Sequence, residues 1–250
     1  MATSRRGLTR DLLPHVSTSV GISDLRVVYQ PILDMQRLEV FGYEALARST
    51  DPAFRGPFEL FRDAIERNCC GELGRSLREL AIEGCPYMPL FLNVHPQEFD
   101  DGWLVRPDDP VFRHEPAVYI EITESVPLSH HAYCKNTLQE VRSKGIRLAV
   151  DDLGAGYSNL RYIADLEPEV VKLDRELVAD LPENPRLFSL VRSVVGLCVE
   201  LGATVVAEGI ERENEFRAAR EAGAHFGQGF YIARPANPPP APARSIVAER

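Results

Sequence analysis

The chain has 250 residues, of which 44% are hydrophobic and 26% charged, and its net charge at pH 7 is −9. This composition is ordinary for one large globular domain, and the negative charge argues against binding of nucleic acid polymers or anionic membranes through a basic surface. No apolar stretch approaches the roughly 20 residues that span a bilayer, and the first residues lack the apolar core of a secretion signal. We therefore expect a cytoplasmic protein.

The pattern along the chain predicts three parts. Residues 1–20 are polar and irregular, which indicates a flexible lead-in or a short docking helix. Near the other end, the prolines of RPANPPPAPAR cannot continue a helix or a central strand. We therefore predict one domain over residues 21–235 and a disordered, proline-rich tail over residues 236–250.

Between these limits, short apolar runs alternate with longer amphipathic segments. The strand candidates, in chain order, are LRVVYQPIL, EVFGYEALA, PLFLNV, AVYIEI, IRLAV, EVVKL, TVVAE and, as the weakest pattern, AHFGQGFYI. The helix candidates, in which apolar residues recur at spacings of three and four, are 57–68, 73–83, 130–143, 185–201 and 212–222. The alternation predicts an α/β protein with a parallel sheet. The length favours a TIM-like β/α barrel over an open sheet, although the first two strands read as a hairpin.

Each apolar run leads to a polar residue at its end. The carboxyl ends of the strands meet at one mouth of a β/α barrel, so these side chains should lie together. They are Glu44, Asn93, Glu121, Asp151, Asp152, Lys172, Glu208 and Gln228. Taken singly, each has an ordinary explanation, such as a helix N-cap for a carboxylate, a turn for the asparagine or a surface ion pair for the lysine. Their coincidence in one register favours a shared site.

Carboxylates dominate this set, and five of them cannot all be ionised in one mouth unless cations compensate their charge. The set contains oxygen ligands and neither cysteine nor a strand-end histidine, which suits Mg²⁺ or Mn²⁺ better than Zn²⁺. The number of acidic groups indicates two ions that share an aspartate, as in phosphoryl-transfer sites. This predicts hydrolysis of a phosphodiester by an activated water. The Gly-x-Gly of DDLGAG is weak evidence for a phosphate loop and is more simply a turn with positive φ.

Eight blocks of the sequence also match a known family in order and approximate spacing. They are YQPILD, GYEALAR, FLNVHP, EITE, DDLGAGYSNL, VKLD, VAEGIE and QGFYIARP. Over about residues 25–235 the chain resembles the EAL-domain phosphodiesterases, bacterial enzymes that hydrolyse the second messenger cyclic di-GMP. The resemblance implies a β/α barrel with an antiparallel first strand, two Mg²⁺ or Mn²⁺ ions, and linear pGpG as the product.

The resemblance further implies roles for individual residues. The ligands implied for the first ion are Glu44, Asn93, Glu121 and Asp151. The ligands implied for the second ion are Asp151, Asp152 and Glu208. Lys172 would hold or help to deprotonate the attacking water, and it joins Glu44, Asp151 and Glu208 as the catalytic set. The residues implied to contact substrate are Gln30, Leu46, Arg48 and Gln228. Of these, Arg48 would reach a phosphate. Glu124 would steady the loop after Asp152.

Two alternatives stay open at this point. Some relatives keep the pocket but lose turnover, and act as cyclic di-GMP receptors or scaffolds; they usually lack a metal ligand or the lysine, and none is missing here. An unrelated Mg²⁺-dependent barrel that acts on another phosphodiester is the other alternative.

Family members often dimerise through the region after the paired aspartates, so we expect a homodimer. Because the usual sensory partner domains are absent from this chain, control would come through the termini, the oligomer or a separate regulatory protein.

Overall fold

A computed structural model describes residues 22–100, 102–123, 128–155, 160–243 and 246. Within these residues, eight strands form a closed barrel in chain order. They are β1 (Leu25–Asp34), β2 (Glu39–Ser49), β3 (Leu90–Asn93), β4 (Val118–Thr123), β5 (Arg147–Leu153), β6 (Val170–Leu173), β7 (Thr204–Ala207) and β8 (Phe226–Gly227). The β/α barrel predicted from the alternating pattern is confirmed.

The first strand runs against its neighbours. β1 pairs antiparallel with both β2 and β8, and each remaining neighbouring pair is parallel. This confirms the hairpin and the antiparallel first strand. The hairpin extends to the pair Leu25 and Ser49, so β2 continues five residues past Glu44. The predicted strand EVFGYEALA, which already continued past Glu44 to Ala47, is confirmed and runs two residues further, because pairing with β1 prolongs β2. Glu44 therefore lies within β2 and not at its end.

Helices surround the barrel. They are α1 (Pro57–Glu66), α2 (Cys70–Gly84), α3 (Gln97–Asp100), α4 (Leu128–Ser143), α5 (Arg161–Leu166), α6 (Arg175–Val178), α7 (Pro185–Glu200) and α8 (Glu213–Glu221). The five predicted helices are present with shifted ends, whereas α3, α5 and α6 are too short to show a helical period. None of the helices in the described part of the chain has the length and apolar character of a membrane span.

A layer of buried side chains fills the barrel interior below the polar residues. It consists of Ile32, Phe91, Tyr119, Ala149, Val170 and Val206. The rings of Phe91 and Tyr119 stack with their centroids 4.3 Å apart. Side chains alternate between the two faces of a strand, so the residue two positions further along points into the barrel as well. For β3 to β7 that residue, near the end of the strand or just after it, is one of the predicted site residues, and the packed layer therefore forms the floor of the site.

The segment after residue 235 packs on the barrel, so the prediction of a disordered tail is wrong for residues 236–243. Ala236 exchanges backbone hydrogen bonds of 2.8 and 3.0 Å with Tyr29, and the Tyr43 hydroxyl donates to the carbonyl of Pro240 at 3.1 Å. Ile246 is only 1% exposed. Prolines exclude a central strand, but an edge segment that pairs at a single bridge tolerates them. The predicted lead-in over residues 1–20 lies outside the described residues.

Candidate active site

Lys172 lies at the centre of the predicted carboxylates. Its Nζ is 2.6 Å from Glu121 Oε1, 2.7 Å from Glu208 Oε1, 3.2 Å from Asp151 Oδ1 and 3.4 Å from Glu44 Oε2. The lysine is fully buried, which excludes the surface ion pair that its sequence position alone allowed. The side chains predicted to converge at the barrel mouth therefore do converge, with one ammonium among four carboxylates.

This arrangement leaves an excess of buried negative charge. Burial raises the pKa of Glu121 and of Glu208 well above the usual value, and the nearby ammonium offsets only part of that rise. Burial also acts to raise the pKa of Glu44, but Lys172 and hydrogen bonds from Gln228 and Asn93 outweigh it and lower the pKa. For Lys172, burial is outweighed by the surrounding carboxylates, so its pKa is raised and the ammonium stays protonated.

A β-bulge brings both adjacent aspartates to the mouth. In a regular strand, Asp151 and Asp152 would point to opposite faces. Here Val150 pairs with Val171 and Leu153 pairs with Leu173, so β5 carries one extra residue between these pairs. Asp152 lies in this bulge with φ of 59°, a left-handed conformation that aspartate adopts more readily than most residues. The bulge turns both carboxylates towards the site.

The loop after the aspartates is described only in part. Gly154 has φ of 110°, which confirms there the turn with positive φ expected from the glycines. Residues 156–159, the rest of that turn, lie outside the described residues, and so does Glu124.

The donor set fits two divalent cations. Two groups of carboxylates each offer ligand atoms within 4.8 Å of one another: Glu44, Glu121 and Asp151 form one group, and Asp151, Asp152 and Glu208 form the other. Apart from the ion-pair contacts with Lys172, no described residue donates a hydrogen bond to Asp151 Oδ1 or to either carboxylate oxygen of Glu121. Burial, followed by the charge of Asp151, raises the pKa of Asp152 to about 6. Cations would relieve both the repulsion and the missing bonds.

Amide side chains surround Glu44. Asn93 Nδ2 donates to Glu44 Oε1 at 2.9 Å, and Gln228 Nε2 donates to Glu44 Oε2 at 2.6 Å and to Gln30 Oε1 at 3.2 Å. Gln30 Nε2 in turn donates to the carbonyl of Ala233 at 3.2 Å. The buried oxygen of Gln228 accepts no hydrogen bond from the described residues, so this oxygen is available to a water or a ligand.

Two cavities have Glu44 in their walls. The larger has a volume of about 690 Å³ and is mainly apolar, and its wall includes Leu46, Phe61 and His95. The smaller has a volume of about 420 Å³. Its wall includes Phe230 and the site residues Gln30, Asp151, Asp152, Lys172, Glu208 and Gln228, whereas Glu121 lines neither of these two cavities. Arg48, which was expected to reach a phosphate, lines neither of these two cavities; its Nη1 donates to the carbonyl of Ala47 at 2.8 Å.

Sequence reasoning missed several residues that line these cavities. They are Phe58, Phe61, Arg62, His95, Arg175 and Phe230. His95 had a weak signal, because it stands two positions after Asn93 and so continues the alternation of β3. The others lie on helices or loops, and no local pattern shows which side of the barrel such residues face.

Comparisons with known proteins agree with this geometry. The family model described as EAL domain matches residues 15–235. A cyclic di-GMP phosphodiesterase from Pseudomonas aeruginosa is 34% identical over 241 residues, which are 91% of this chain and 41% of that protein. The chain therefore spans about two fifths of this curated relative.

Two solved structures are also similar. Klebsiella pneumoniae BlrP1, solved with manganese and cyclic di-GMP, is 29% identical with a TM-score of 0.73, and the match covers 87% of this chain and 57% of that one; BlrP1 was also solved with calcium and cyclic di-GMP. A standalone EAL protein from Vibrio cholerae, bound to cyclic di-GMP, is 25% identical with a TM-score of 0.74, and the match covers 90% and 98% of the two chains.

Proposed function

The chain belongs to the EAL domain family, and from this premise we propose that it is a phosphodiesterase that hydrolyses cyclic di-GMP to linear pGpG with two divalent cations, Mg²⁺ or Mn²⁺. The observation that carries the proposal is the pair of carboxylate groups that share Asp151 around the buried Lys172. The name of the Pseudomonas relative and the manganese complex of BlrP1 support the choice of substrate and cation.

The ligands proposed for the first cation are Glu44, Asn93, Glu121 and Asp151, and those for the second are Asp151, Asp152 and Glu208. Asn93 uses its amide nitrogen to bond Glu44, so its side-chain oxygen is the atom left for a cation. When bound, two such cations make a water more acidic and stabilise the charge on the phosphoryl oxygens. The carboxylates contribute their negative charge and their fixed positions on neighbouring strands.

Lys172 and Gln228 act on the water and the substrate. Lys172 is a hydrogen-bond donor within reach of both carboxylate groups, so we assign it to hold the attacking water. Gln228 offers a free buried oxygen beside Glu44, which suits it to orient that water or a substrate hydroxyl. These roles require the strand ends to keep their spacing, which the packed layer below them provides.

The cavities suit a substrate with two bases. Cyclic di-GMP carries two guanines joined by phosphodiesters, and the two cavities both reach Glu44. The larger, apolar cavity with Phe61 and His95 suits a flat purine ring, because ligand pockets combine apolar walls with few polar groups. We place one guanine there and the scissile phosphodiester over the carboxylates.

The test incubates the purified chain with cyclic di-GMP and Mg²⁺ or Mn²⁺ and follows pGpG by chromatography. Turnover with either metal is expected, and Glu44→Ala should remove most of it because the change takes away a proposed cation ligand. If no pGpG forms with either metal but cyclic di-GMP binds tightly, the chain is a receptor or scaffold and not an enzyme. Absence of binding as well would point to a different phosphodiester.

We also propose that the chain forms a homodimer, that a separate protein regulates it and that it is located in the cytoplasm. The region expected to form the dimer follows the paired aspartates and includes residues 156–159, which lie outside the described residues. Light scattering coupled to gel filtration would measure the mass of the chain in solution. A mass of one chain at working concentration would remove the dimer from the proposal.

A further inference from the structure

His95 forms part of the wall of the larger cavity beside the proposed cation ligands. It follows Asn93 by two residues, and both line the same cavity as Glu44. The imidazole ring stacks on Phe61, with ring centroids 5.6 Å apart and planes inclined by 17°. His95 therefore presents a flat polar ring on a wall that is otherwise mainly apolar.

A buried charged cluster holds the backbone of His95. The backbone N–H of His95 donates to Glu98 Oε1 at 3.0 Å, and Glu98 Oε2 pairs with Arg78. Arg78 also pairs with Asp109 at 2.7 Å, and all three charged residues are at most 2% exposed. A paired, fully desolvated cluster of this kind permits little movement of the groups bonded to it. The position of His95 is thus fixed before any ligand binds.

The ring has one nitrogen committed and one free. The backbone N–H of Gln97 donates to Nδ1 at 3.3 Å, which requires a lone pair on Nδ1. The proton of the neutral ring is therefore on Nε2. None of the hydrogen bonds among the described residues involves His95 Nε2, so this N–H is available to a ligand in the cavity.

We infer that His95 is a specificity-determining residue whose Nε2–H donates a hydrogen bond to O6 of one guanine of the substrate. This inference rests on the proposed function, since it takes cyclic di-GMP as the ligand. Guanine presents an acceptor at O6, whereas adenine presents an NH₂ donor at the same position. A donor on a rigid wall thus favours guanine, because adenine would leave two donors facing each other in a desolvated pocket.

Two substitutions separate the donor from the shape of the ring. His95→Phe keeps a flat ring against Phe61 and removes the N–H, whereas His95→Gln keeps an N–H donor. His95→Phe should weaken binding of cyclic di-GMP about 5- to 10-fold, the range for loss of one neutral hydrogen bond. Binding of cyclic di-AMP should change less, so that selectivity falls. His95→Gln should restore most of the affinity for cyclic di-GMP.

Affinities are measured by calorimetry with Ca²⁺, so that binding is read without relying on turnover, and KM and kcat are then measured with Mn²⁺. A donor to the base raises KM more than it lowers kcat. Melting temperatures verify that each variant is folded, and His95→Leu replaces His95→Phe if the latter does not fold.

Several outcomes would overturn the inference. Unchanged affinity for cyclic di-GMP in His95→Phe would remove His95 from recognition. Equal weakening for cyclic di-GMP and cyclic di-AMP would mean that His95 donates to a group that both nucleotides share. That result would refute the assignment of the hydrogen bond to O6. If the unmodified chain neither binds nor hydrolyses cyclic di-GMP, the proposed function itself is refuted, and hydrolysis of bis(p-nitrophenyl) phosphate then tells whether phosphodiester chemistry is retained.

Discussion

Replacing Lys172 by methionine tests whether this lysine is the counter-charge of the site when cations are removed. The substitution keeps much of the side-chain volume but takes away the one ammonium that lies 2.6 to 3.4 Å from four carboxylates. Removing one partner of a buried ion pair costs about 3 to 5 kcal/mol. For a chain of this length that corresponds to a fall in melting temperature of about 6 to 20 °C. We expect this fall in EDTA and a smaller one in Mn²⁺, where cations compensate the same carboxylates.

The pH dependence of this loss has a definite sign. Glu121 and Glu208 already have a raised pKa in the folded chain, and removal of Lys172 raises it further. The folded variant then binds more protons than the unfolded chain above the usual carboxylate pKa, so its stability falls as the pH rises. In EDTA, the melting temperature of Lys172→Met should therefore decrease more steeply from pH 6 to pH 8 than that of the unmodified chain.

Differential scanning fluorimetry with and without Mn²⁺ measures both effects. Lys144→Met is a matched control, because Lys144 is partly exposed just after α4. It pairs with Glu140 at 3.2 Å, donates to the carbonyl of Val105 at 2.9 Å and lies 4.6 Å from the centroid of the Phe112 ring. Loss of these contacts should change stability by no more than about 2 kcal/mol. If Lys172→Met melts within about 2 °C of the unmodified chain in EDTA, the lysine does not compensate the carboxylates. If Mn²⁺ leaves the difference unchanged, the cations do not bind among them.

Four further substitutions test the site, its support and the C-terminal segment. Asp151→Asn should lower kcat for cyclic di-GMP by at least about 100-fold, because Asp151 belongs to both carboxylate groups and a bound cation contributes several kcal/mol to the reaction. The melting temperature in EDTA should not fall, and chromatography of pGpG measures the rate. Gly74→Ala should lower the melting temperature by several degrees, since its Cβ would lie 2.0 Å from Glu98 Oε2. Gly196→Ala, in α7 with nothing within 4 Å of the added Cβ, should instead stabilise the chain by up to about 1 kcal/mol. Ile246→Ala should cost about 2 to 4 kcal/mol because the side chain is buried; an unchanged denaturant midpoint would mean that the C-terminal segment is not docked in solution.

The barrel was predictable because the signals that specify it are local. In each strand from β3 to β7, an apolar run leads to a polar residue two positions after a core residue, as Lys172 follows Val170. This spacing arises because side chains alternate between the two faces of a strand. β8 gave the weakest pattern since only Phe226 and Gly227 pair as a strand. The missed helices have six residues or fewer, which is less than two helical turns and too short for an apolar period to be recognised.

Other parts of the site depend on tertiary structure and could not be read from the sequence. The sequence places Asp151 and Asp152 at a strand end, but the left-handed backbone at Asp152 arises from the pairing of β5 with β6. Similarly, the prolines after residue 235 correctly exclude a helix, yet the docking of Ala236 depends on the free edge of β1. Phe61, which stacks on His95, comes from α1, and Arg78, which pairs with Glu98 beside it, comes from α2. No local pattern brings these two helices to His95.

Two groups of buried charge in this chain contrast in a way that supports a ligand at the barrel mouth. Around Arg78, the carboxylates of Glu98 and Asp109 are paired and hydrogen-bonded. Around Lys172, in contrast, four carboxylates share one ammonium, and apart from that ammonium no described residue donates a hydrogen bond to either oxygen of Glu121. The same chain therefore satisfies buried charges fully where they support the fold. Because an unsatisfied buried carboxylate destabilises a protein, its persistence at the convergence of the strand ends is best explained by cations that complete the site.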